Sequence, residues 1–172
     1  MVGIPITASQ IQIQITDPRD PGARRCLRLY FDELGRRFDA GFDPAQSISA
    51  SDEALTLPKG LLLVANLQGS AVGCGALKLY SETRIAEVKR MWISPDVRGL
   101  GLGRRLLNHL VAEAASRGIA ILRLETNRSL VEAKHLYETE GFTEVEAFND
   151  EPYAHHWFQK DLRACKNEVR RG

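Results

Sequence analysis

The chain has 172 residues, with 23 Lys and Arg against 22 Asp and Glu, which leaves a formal net charge of +1. At roughly 150 residues per domain, this length predicts a single domain spanning residues 1–172. A net charge near zero gives no general electrostatic reason to expect nucleic acid or a membrane as a partner. The longest strongly apolar stretch, Leu61 to Ala65, is far shorter than the roughly 20 residues that span a bilayer. Together these features predict a cytoplasmic protein.

Three cysteines, Cys26, Cys74 and Cys165, are far apart and lie outside any C-x-x-C motif. Their odd number and their spacing argue against a disulfide framework and against a zinc site. We therefore expect reduced packing residues and no bound metal.

The first part of the chain predicts a strand followed by a helix. Residues 11–15 alternate between isoleucine and polar side chains, which is typical of a half-buried strand. Asp20 and Pro21 suit the cap and the first position of a helix, and Gly41 ends it. The apolar face of this helix has helical spacing and comprises Leu27, Tyr30, Phe31, Leu34 and Phe38. Asp43 to Asp52 is either a loop or a second short helix.

The middle of the chain predicts three antiparallel strands at 61–67, 71–80 and 85–93, joined by short turns. A helix follows and ends at Gly118, with a buried stripe formed by Leu102, Leu106, Leu107, Leu110, Val111 and Ala114. Residues 119–126 then read as a short buried strand.

The last part predicts one helix and two strands. Ser129 and Glu132 have the spacing of a capping box, and the helix that they open passes Tyr137 and stops near Gly141. Strands at about 142–148 and 153–162 complete the order β α β β β α β α β β. This order predicts an α+β domain whose mixed, mostly antiparallel sheet is flanked by helices.

The segment most informative about function is a glycine-rich loop between a strand and a helix. Gly99, Gly101 and Gly103 allow the backbone to curl so that several N–H groups point at one spot. The helix N-terminus and three arginines, Arg98, Arg104 and Arg105, add positive charge, so a phosphate or diphosphate is the expected ligand. The loop fits neither a dinucleotide fingerprint nor a P-loop. A flexible glycine turn with solvated arginines, or a site for another nucleotide, remain alternatives.

Two motifs resemble those of the GNAT N-acetyltransferase superfamily. Arg98-Gly99-Leu100-Gly101-Leu102-Gly103 matches the (Gln/Arg)-x-x-Gly-x-(Gly/Ala) loop, and residues 133–142 match A-x-x-L-Y-x-x-x-G-F. The resemblance covers about residues 61–162. One position departs from the pattern: the asparagine that many members carry seven residues before the tyrosine is Leu130 here, and Asn127 lies three residues earlier.

The resemblance implies an N-acetyltransferase that uses acetyl-CoA, or another acyl-CoA, as cosubstrate and acetylates a primary amine by direct attack. The backbone near the end of the preceding strand would polarise the thioester oxygen, and the loop would hold the phosphates. The residues implied in cofactor binding are Met91, Trp92, Ile93, Arg98, Gly99, Leu100, Gly101, Leu102, Gly103 and Arg104. A binding module that keeps the cofactor loop without catalysis is the alternative.

The reaction also needs two proton transfers. Tyr137 is the predicted general acid for the departing thiolate, and its alternative role is core packing. Glu87 is the predicted base for the amine, and its alternative role is a solvated strand carboxylate paired with Lys89 or Arg84. His155 and His156 are alternative bases, of which at most one can face the site because neighbours on a strand point to opposite sides.

We expect the acceptor pocket between the first helix, the loop after it and the last hairpin. The candidate lining residues are Tyr30, Phe31, Phe38, Phe42, Asp43, Asn149, Asp150, Glu151, Tyr153 and His155. The acceptor is a small-molecule amine or the amino group of a peptide or protein. A homodimer that uses the C-terminal strand is also expected.

Overall fold

The computed structural model describes residues 3–48 and 50–163, in the predicted order of strands and helices. The strands are β1 (Ile11–Ile15), β2 (Gly60–Leu67), β3 (Ser70–Tyr80), β4 (Ile85–Ile93), β5 (Ile121–Thr126), β6 (Thr143–Val145) and β7 (His156–Asp161). The helices are α1 (Pro21–Arg37), α2 (Leu102–Ser116) and α3 (Val131–Thr139), with short 3-10 turns at Ala8–Gln10, Glu53–Leu55 and Pro95–Val97. The last two strands are shorter than predicted.

Among the described residues, no helix is long and apolar enough to cross a membrane.

Helix α1 begins as predicted, because the Asp20 carboxylate accepts hydrogen bonds from the backbone N–H groups of Gly22 and Ala23. The predicted capping box before α3 is wrong. Leu130 occupies the cap position and no side chain caps the helix. Glu132 is instead ion-paired with Arg37 of α1, so a contact between distant parts of the chain has taken the side chain that the local pattern assigns to the cap.

The seven strands form one mixed sheet in the order β1-β2-β3-β4-β5-β7-β6. Every neighbouring pair is antiparallel except β4 and β5, which are parallel. The parallel pairing covers only 85–87 against 121–123, although β4 continues to Ile93 and β5 to Thr126. The C-terminal halves of these two central strands therefore lack a ladder between them, which opens a gap inside the sheet.

Helices α1 and α2 cover opposite faces of the sheet, as the alternation along β2 shows. Leu61 and Leu63 belong to the core cluster that contains the buried stripe of α2, whereas Leu62 and Val64 belong to the cluster around α1. The predicted stripe of α2 is confirmed: all of its members are fully buried except Val111, which is partly buried. Cys26 and Cys74 are free and fully buried in the α1 cluster, as expected of packing residues, and Cys165 lies outside the described residues.

A β-bulge in β4 changes the direction of its side chains. Ala76 pairs with Lys89 and Cys74 pairs with Trp92, so β4 carries one extra residue, and Arg90 has a φ of 55°. Val88 packs in the α2 cluster and Trp92 in the α1 cluster. Residues four apart in a regular strand face the same side. The bulge therefore reverses which residues of β4 face α1.

The C-terminal strand β7 lies between β5 and β6, and the edges of the sheet are β1 and β6. Both edges of β7 are thus used within the chain. The homodimer stays a prediction.

Candidate active site

A cleft of about 530 Å³ lies between α1, the end of β4, the glycine-rich loop and α3. Nine of the ten residues predicted to bind the cofactor line it: Met91, Trp92, Ile93, Arg98, Gly99, Gly101, Leu102, Gly103 and Arg104. Leu100 does not line the cleft and packs partly buried against the α2 cluster. The structure thus brings together almost the whole predicted set.

Two glycines of the loop have backbone conformations that favour glycine over other residues. Gly99 and Gly101 adopt φ values of 83° and 75°, which disfavour other residues. A Cβ on either would meet no atom within 4 Å, so the space beside the backbone is open. Gly101 directly precedes α2, whose first turn has no side-chain cap. The N–H groups of that turn are therefore available as donors to an anion at the mouth of the cleft.

Two of the three loop arginines lie at the cleft. Arg98 pairs with Glu33 of α1 at 2.5 Å and donates to the Ile93 carbonyl, while Arg104 pairs with Glu140 at 2.6 Å. Arg105 points elsewhere, because it donates to the carbonyls of Ala8 and Ile11. It therefore anchors the start of β1.

A second, smaller cavity of about 120 Å³ lies beside the cleft, on the α1 face of the sheet. Six of the ten predicted acceptor-pocket residues line it: Tyr30, Phe31, Phe38, Phe42, Glu151 and Tyr153. The two cavities share a boundary formed by Tyr30, Leu34, Met91, Leu130, Ala133 and Tyr137. A group held in the cleft and a group held in the small cavity would meet at this boundary.

The other four predicted pocket residues do not line the small cavity. For three of them the structure gives hydrogen bonds that support the surrounding loops. The Asp43 N–H donates to the Tyr153 hydroxyl, Asn149 accepts from the Trp157 ring N–H, and His155 accepts from the Arg128 N–H. Asp150 is an exposed loop residue.

The alternative base His156 contacts Glu144 at 2.8 Å and does not line either cavity. Asn127 donates to the Tyr153 carbonyl and accepts from the Ser129 N–H, so its amide holds the neighbouring loop in place. His156 therefore lies outside the pocket, whereas Asn127 also lines the small cavity.

Tyr137 lies at the boundary between the two cavities. Its ring packs against Phe142 and Phe158, with centroids 6.0 and 6.3 Å away, and only 6% of the residue is exposed. Among the residues that the structure describes, no hydrogen-bond partner of its hydroxyl is found. Burial, and then the charge of Glu125, raise the pKa of Tyr137. The hydroxyl therefore keeps its proton at neutral pH.

Glu87 lies in a buried network of four charges. Its carboxylate contacts Lys89 at 3.0 Å and Arg123 at 3.2 Å, and Lys89 also contacts Glu125 at 2.6 Å. Burial by itself would raise the pKa of Glu87, but the attraction and hydrogen bonds of Lys89 and Arg123 outweigh it, so the pKa is lowered. Glu87 lines neither cavity. Its predicted role as base stays a prediction.

Sequence reasoning missed Glu125, at the end of β5. It lines the small cavity, and its Oε2 is buried without a hydrogen-bond partner in the described part of the chain. An orphaned buried acceptor of this kind costs about 1–3 kcal/mol until a donor reaches it. A signal was present in the sequence: Arg123 and Glu125 alternate with Leu122 and Leu124, which places both charges on one face of a central strand.

The gap between two parallel strands, the glycine loop that opens α2 and the buried tyrosine between two cavities fit an acyl-CoA-dependent acyltransferase, the class to which the relatives of this chain belong. The family model described as an acetyltransferase (GNAT) domain matches residues 58–144, and the chain belongs to this GNAT acetyltransferase family.

Individual relatives agree with this membership. A protein of Azospirillum brasilense named IAA acetyltransferase is 39% identical over 140 residues, which are 81% of this chain and 90% of that protein. A Klebsiella pneumoniae structure assigned as an acyl-CoA N-acyltransferase is 30% identical, with a TM-score of 0.71 over 90% of this chain and 99% of that one. A Salmonella typhimurium structure assigned as an acetyltransferase contains its cofactor acetyl-CoA. It shares the fold at 20% identity and a TM-score of 0.65, over 88% of this chain and 94% of that one.

The buried network makes a prediction about stability and pH. Glu87→Gln leaves Arg123 without a carboxylate partner and Lys89 with Glu125 alone, which should cost about 2–3 kcal/mol at pH 7, since breaking a buried ion pair is expensive. The pKa of Glu87 is lowered in the folded state. Its contribution is therefore present above the unfolded pKa of about 4.3 and is lost as the pH falls through the folded pKa. The Tm difference between wild type and variant, followed by circular dichroism, should shrink below about pH 4.5.

The exposed Glu82 in the β3–β4 turn supplies a matched control, because Glu82→Gln should leave the Tm unchanged. A Tm difference that stayed constant from pH 7 to pH 3.5 would contradict the ion-pair account.

Proposed function

We propose that the protein transfers the acetyl group of acetyl-CoA to a primary amine by direct attack, without a covalent enzyme intermediate. One observation carries the proposal: the cleft with the glycine loop and the small cavity with Glu125 meet at Tyr137. An acyl group entering from the first would be within reach of an amine entering from the second. The acceptor is a small-molecule amine or the amino group of a peptide or protein.

The glycine loop is the proposed holder of the diphosphate. The open space beside Gly99 and Gly101 allows close approach to the backbone, and the uncapped first turn of α2 offers N–H donors. Arg98 and Arg104 would exchange their carboxylate partners for phosphate oxygens. When bound, acetyl-CoA supplies the acetyl group as a thioester. A backbone N–H in the stretch from Met91 to Ile93 is the proposed donor to its carbonyl oxygen.

Two carboxylates are candidates for accepting the proton of the amine. An amine with a pKa near 10.4 is protonated at neutral pH and must lose a proton before it can attack. Glu125 lines the cavity and has an unpartnered oxygen, so we assign it the direct contact. Glu87, the base predicted from the sequence, contacts Lys89 and thereby positions Glu125. It remains the alternative base.

Tyr137 is the proposed general acid. Tyr137 lines both cavities, and its hydroxyl retains its proton at neutral pH and has no protein partner among the described residues. It can therefore donate to the departing thiolate as charge develops on the sulfur.

Cofactor binding can be tested at Gly101. Gly101→Val forces a β-branched residue into a φ of 75° and fills the open space beside the first turn of α2. The dissociation constant for acetyl-CoA should rise by at least about tenfold, because the backbone can no longer approach a phosphate closely. Calorimetry measures this constant. Gly118→Val is the matched control: it imposes similar strain at a φ of 80° with equally open space, outside the cleft. Equal affinities for the two variants would refute the loop assignment.

The overall reaction can be tested by following CoA release with a panel of amines. Wild-type protein should release CoA with at least one of them, and Glu125→Gln should lower kcat/KM by roughly a hundredfold, within the usual range for a general base. The loss should shrink at high pH, where more of the amine is already neutral. Affinity for acetyl-CoA should not change.

The same assay separates the two carboxylates. If Glu87→Gln loses more activity than Glu125→Gln, Glu87 is the base. If wild-type protein binds acetyl-CoA but acetylates no amine, the chain is a binding module.

The role of Tyr137 can be separated from packing. Tyr137→Phe keeps the ring and removes only the hydroxyl, so kcat should fall at least about tenfold, with unchanged Tm and acetyl-CoA affinity. A donor whose leaving thiol has a lower pKa should restore part of the rate. Tyr80→Phe, outside both cavities, should behave as wild type. Wild-type turnover in Tyr137→Phe would exclude the acid role.

A further inference from the structure

We infer that the acceptor amine carries a carboxylate, and that Arg90 binds it in the small cavity. The substrate class is then an amino acid, or an amine with a nearby carboxylate, whose side chain is aromatic or large and apolar. This inference rests on the proposed function, since it concerns the acceptor of that reaction.

Arg90 reaches the small cavity because of the β-bulge. It is the extra residue of β4, with a φ of 55°, and its side chain extends on the α1 face. There its guanidinium lies 5.0 Å from the centre of the Phe31 ring and donates to the carbonyl of Ala50. These contacts hold the side chain at the wall of the cavity that it lines.

Most of the N–H donors of the Arg90 guanidinium have no hydrogen-bond acceptor among the described residues. It carries five N–H groups in a planar fork, and in the described part of the chain only one of its nitrogens has a hydrogen-bond partner, the carbonyl of Ala50. No carboxylate among the described residues lies within ion-pair distance of it. Its remaining nitrogens are not among the fully buried atoms that lack a partner, and Arg90 itself lines the small cavity. Burial lowers the pKa of Arg90, as is expected of a desolvated charge without an anionic partner.

The other charged groups that line the cavity already have partners in the protein, except for one oxygen of Glu125. Lys89 contacts Glu87 and Glu125. Glu151 accepts hydrogen bonds from the Ser47 hydroxyl and from the N–H groups of Ile48 and Tyr153. What remains is the cation of Arg90 and the unpartnered Oε2 of Glu125.

An amine with a carboxylate complements these two groups. Its carboxylate would take the fork of Arg90 in a charge-assisted hydrogen bond, and its amino group would donate to Glu125. Each protein group would then gain the partner that it lacks. An amine without a carboxylate would leave a partly buried guanidinium unpaired, which costs affinity.

The aromatic residues that line the small cavity indicate which side chain the acceptor carries. Phe31 and Phe42 are stacked with ring centres 5.7 Å apart, and Phe42 lies 4.8 Å from the ring of Tyr153. Phe38 completes this aromatic surface. Aromatic walls bury apolar groups favourably, so an aromatic or large apolar side chain fits better than a charged one.

The test compares ligands that differ only in the carboxylate. N-acetylphenylalanine and N-acetylphenylalaninamide, with their leucine and alanine counterparts, have the form of reaction products and lack the reactive amine. Titrated by calorimetry into wild-type protein with CoA present, the carboxylates should bind at least about tenfold more tightly than the amides. Phenylalanine should outrank alanine.

Variants assign this preference to Arg90. Arg90→Met keeps an apolar stem and should abolish the preference, whereas Arg90→Lys keeps the charge and should retain part of it. Arg28→Met, exposed on α1, is the matched control and should bind as wild type. The wild-type comparison needs no variant, so it stands even if Arg90→Met folds poorly.

The outcomes separate this inference from the proposed function. Equal or weaker binding of the carboxylates by wild type, or a preference retained in Arg90→Met, overturns the inference. CoA release with amines that lack a carboxylate, at the same kcat/KM as with amino acids, overturns it while confirming amine acetylation. Tight binding of the carboxylates by a protein that acetylates no amine would leave the Arg90 site standing and refute the proposed reaction.

Discussion

The early end of the pairing between β4 and β5 is the constraint on which the rest of this structure depends. Only 85–87 and 121–123 form a parallel ladder, and beyond them the two central strands present backbone and side chains to a gap. Sheets normally satisfy every interior backbone group, so a gap at the centre creates a place where a ligand can supply contacts that a neighbouring strand would otherwise make. Both cavities open there, one on each side of Tyr137.

The β-bulge at Arg90 decides which chemistry faces each cavity. Before it, Lys89 faces α1, and after it Met91 faces α2, where its sulfur would lie 2.6 Å from a Cβ on Gly75. A regular strand would place these two residues on the same face. By inserting one residue, β4 presents an apolar side chain near the proposed thioester and charged side chains to the proposed acceptor. Bulges are common next to active sites for this reason.

The buried charged residues of β4 and β5 lie beside the same gap in the sheet. Glu87, Lys89, Arg123 and Glu125 form a network whose formal charges cancel, on a face where apolar residues would pack without penalty. Such a network contributes little net stability, but it fixes the position of Glu125 at the cavity wall. Glu151 likewise holds two loops in place, because its carboxylate accepts hydrogen bonds that connect residues 47–48 with 151–153.

The sequence by itself determined the order of the elements, the buried stripe of α2, the Asp20 cap and the position of the glycine loop before α2. Each of these depends on local spacing: helical and strand periodicity, a cap within three residues, or glycines within one turn. The tertiary structure decided which charges meet. Lys89 and Glu125 are 36 residues apart in the sequence and are in contact because β4 and β5 are neighbours. Glu132, predicted to cap α3, instead pairs with Arg37, which is 95 residues away. The bulge that places Arg90 on the α1 face is likewise set by the register of β3 against β4. Periodicity specifies the face on which a side chain lies, whereas contacts between distant residues are fixed only when the strands and helices pack together.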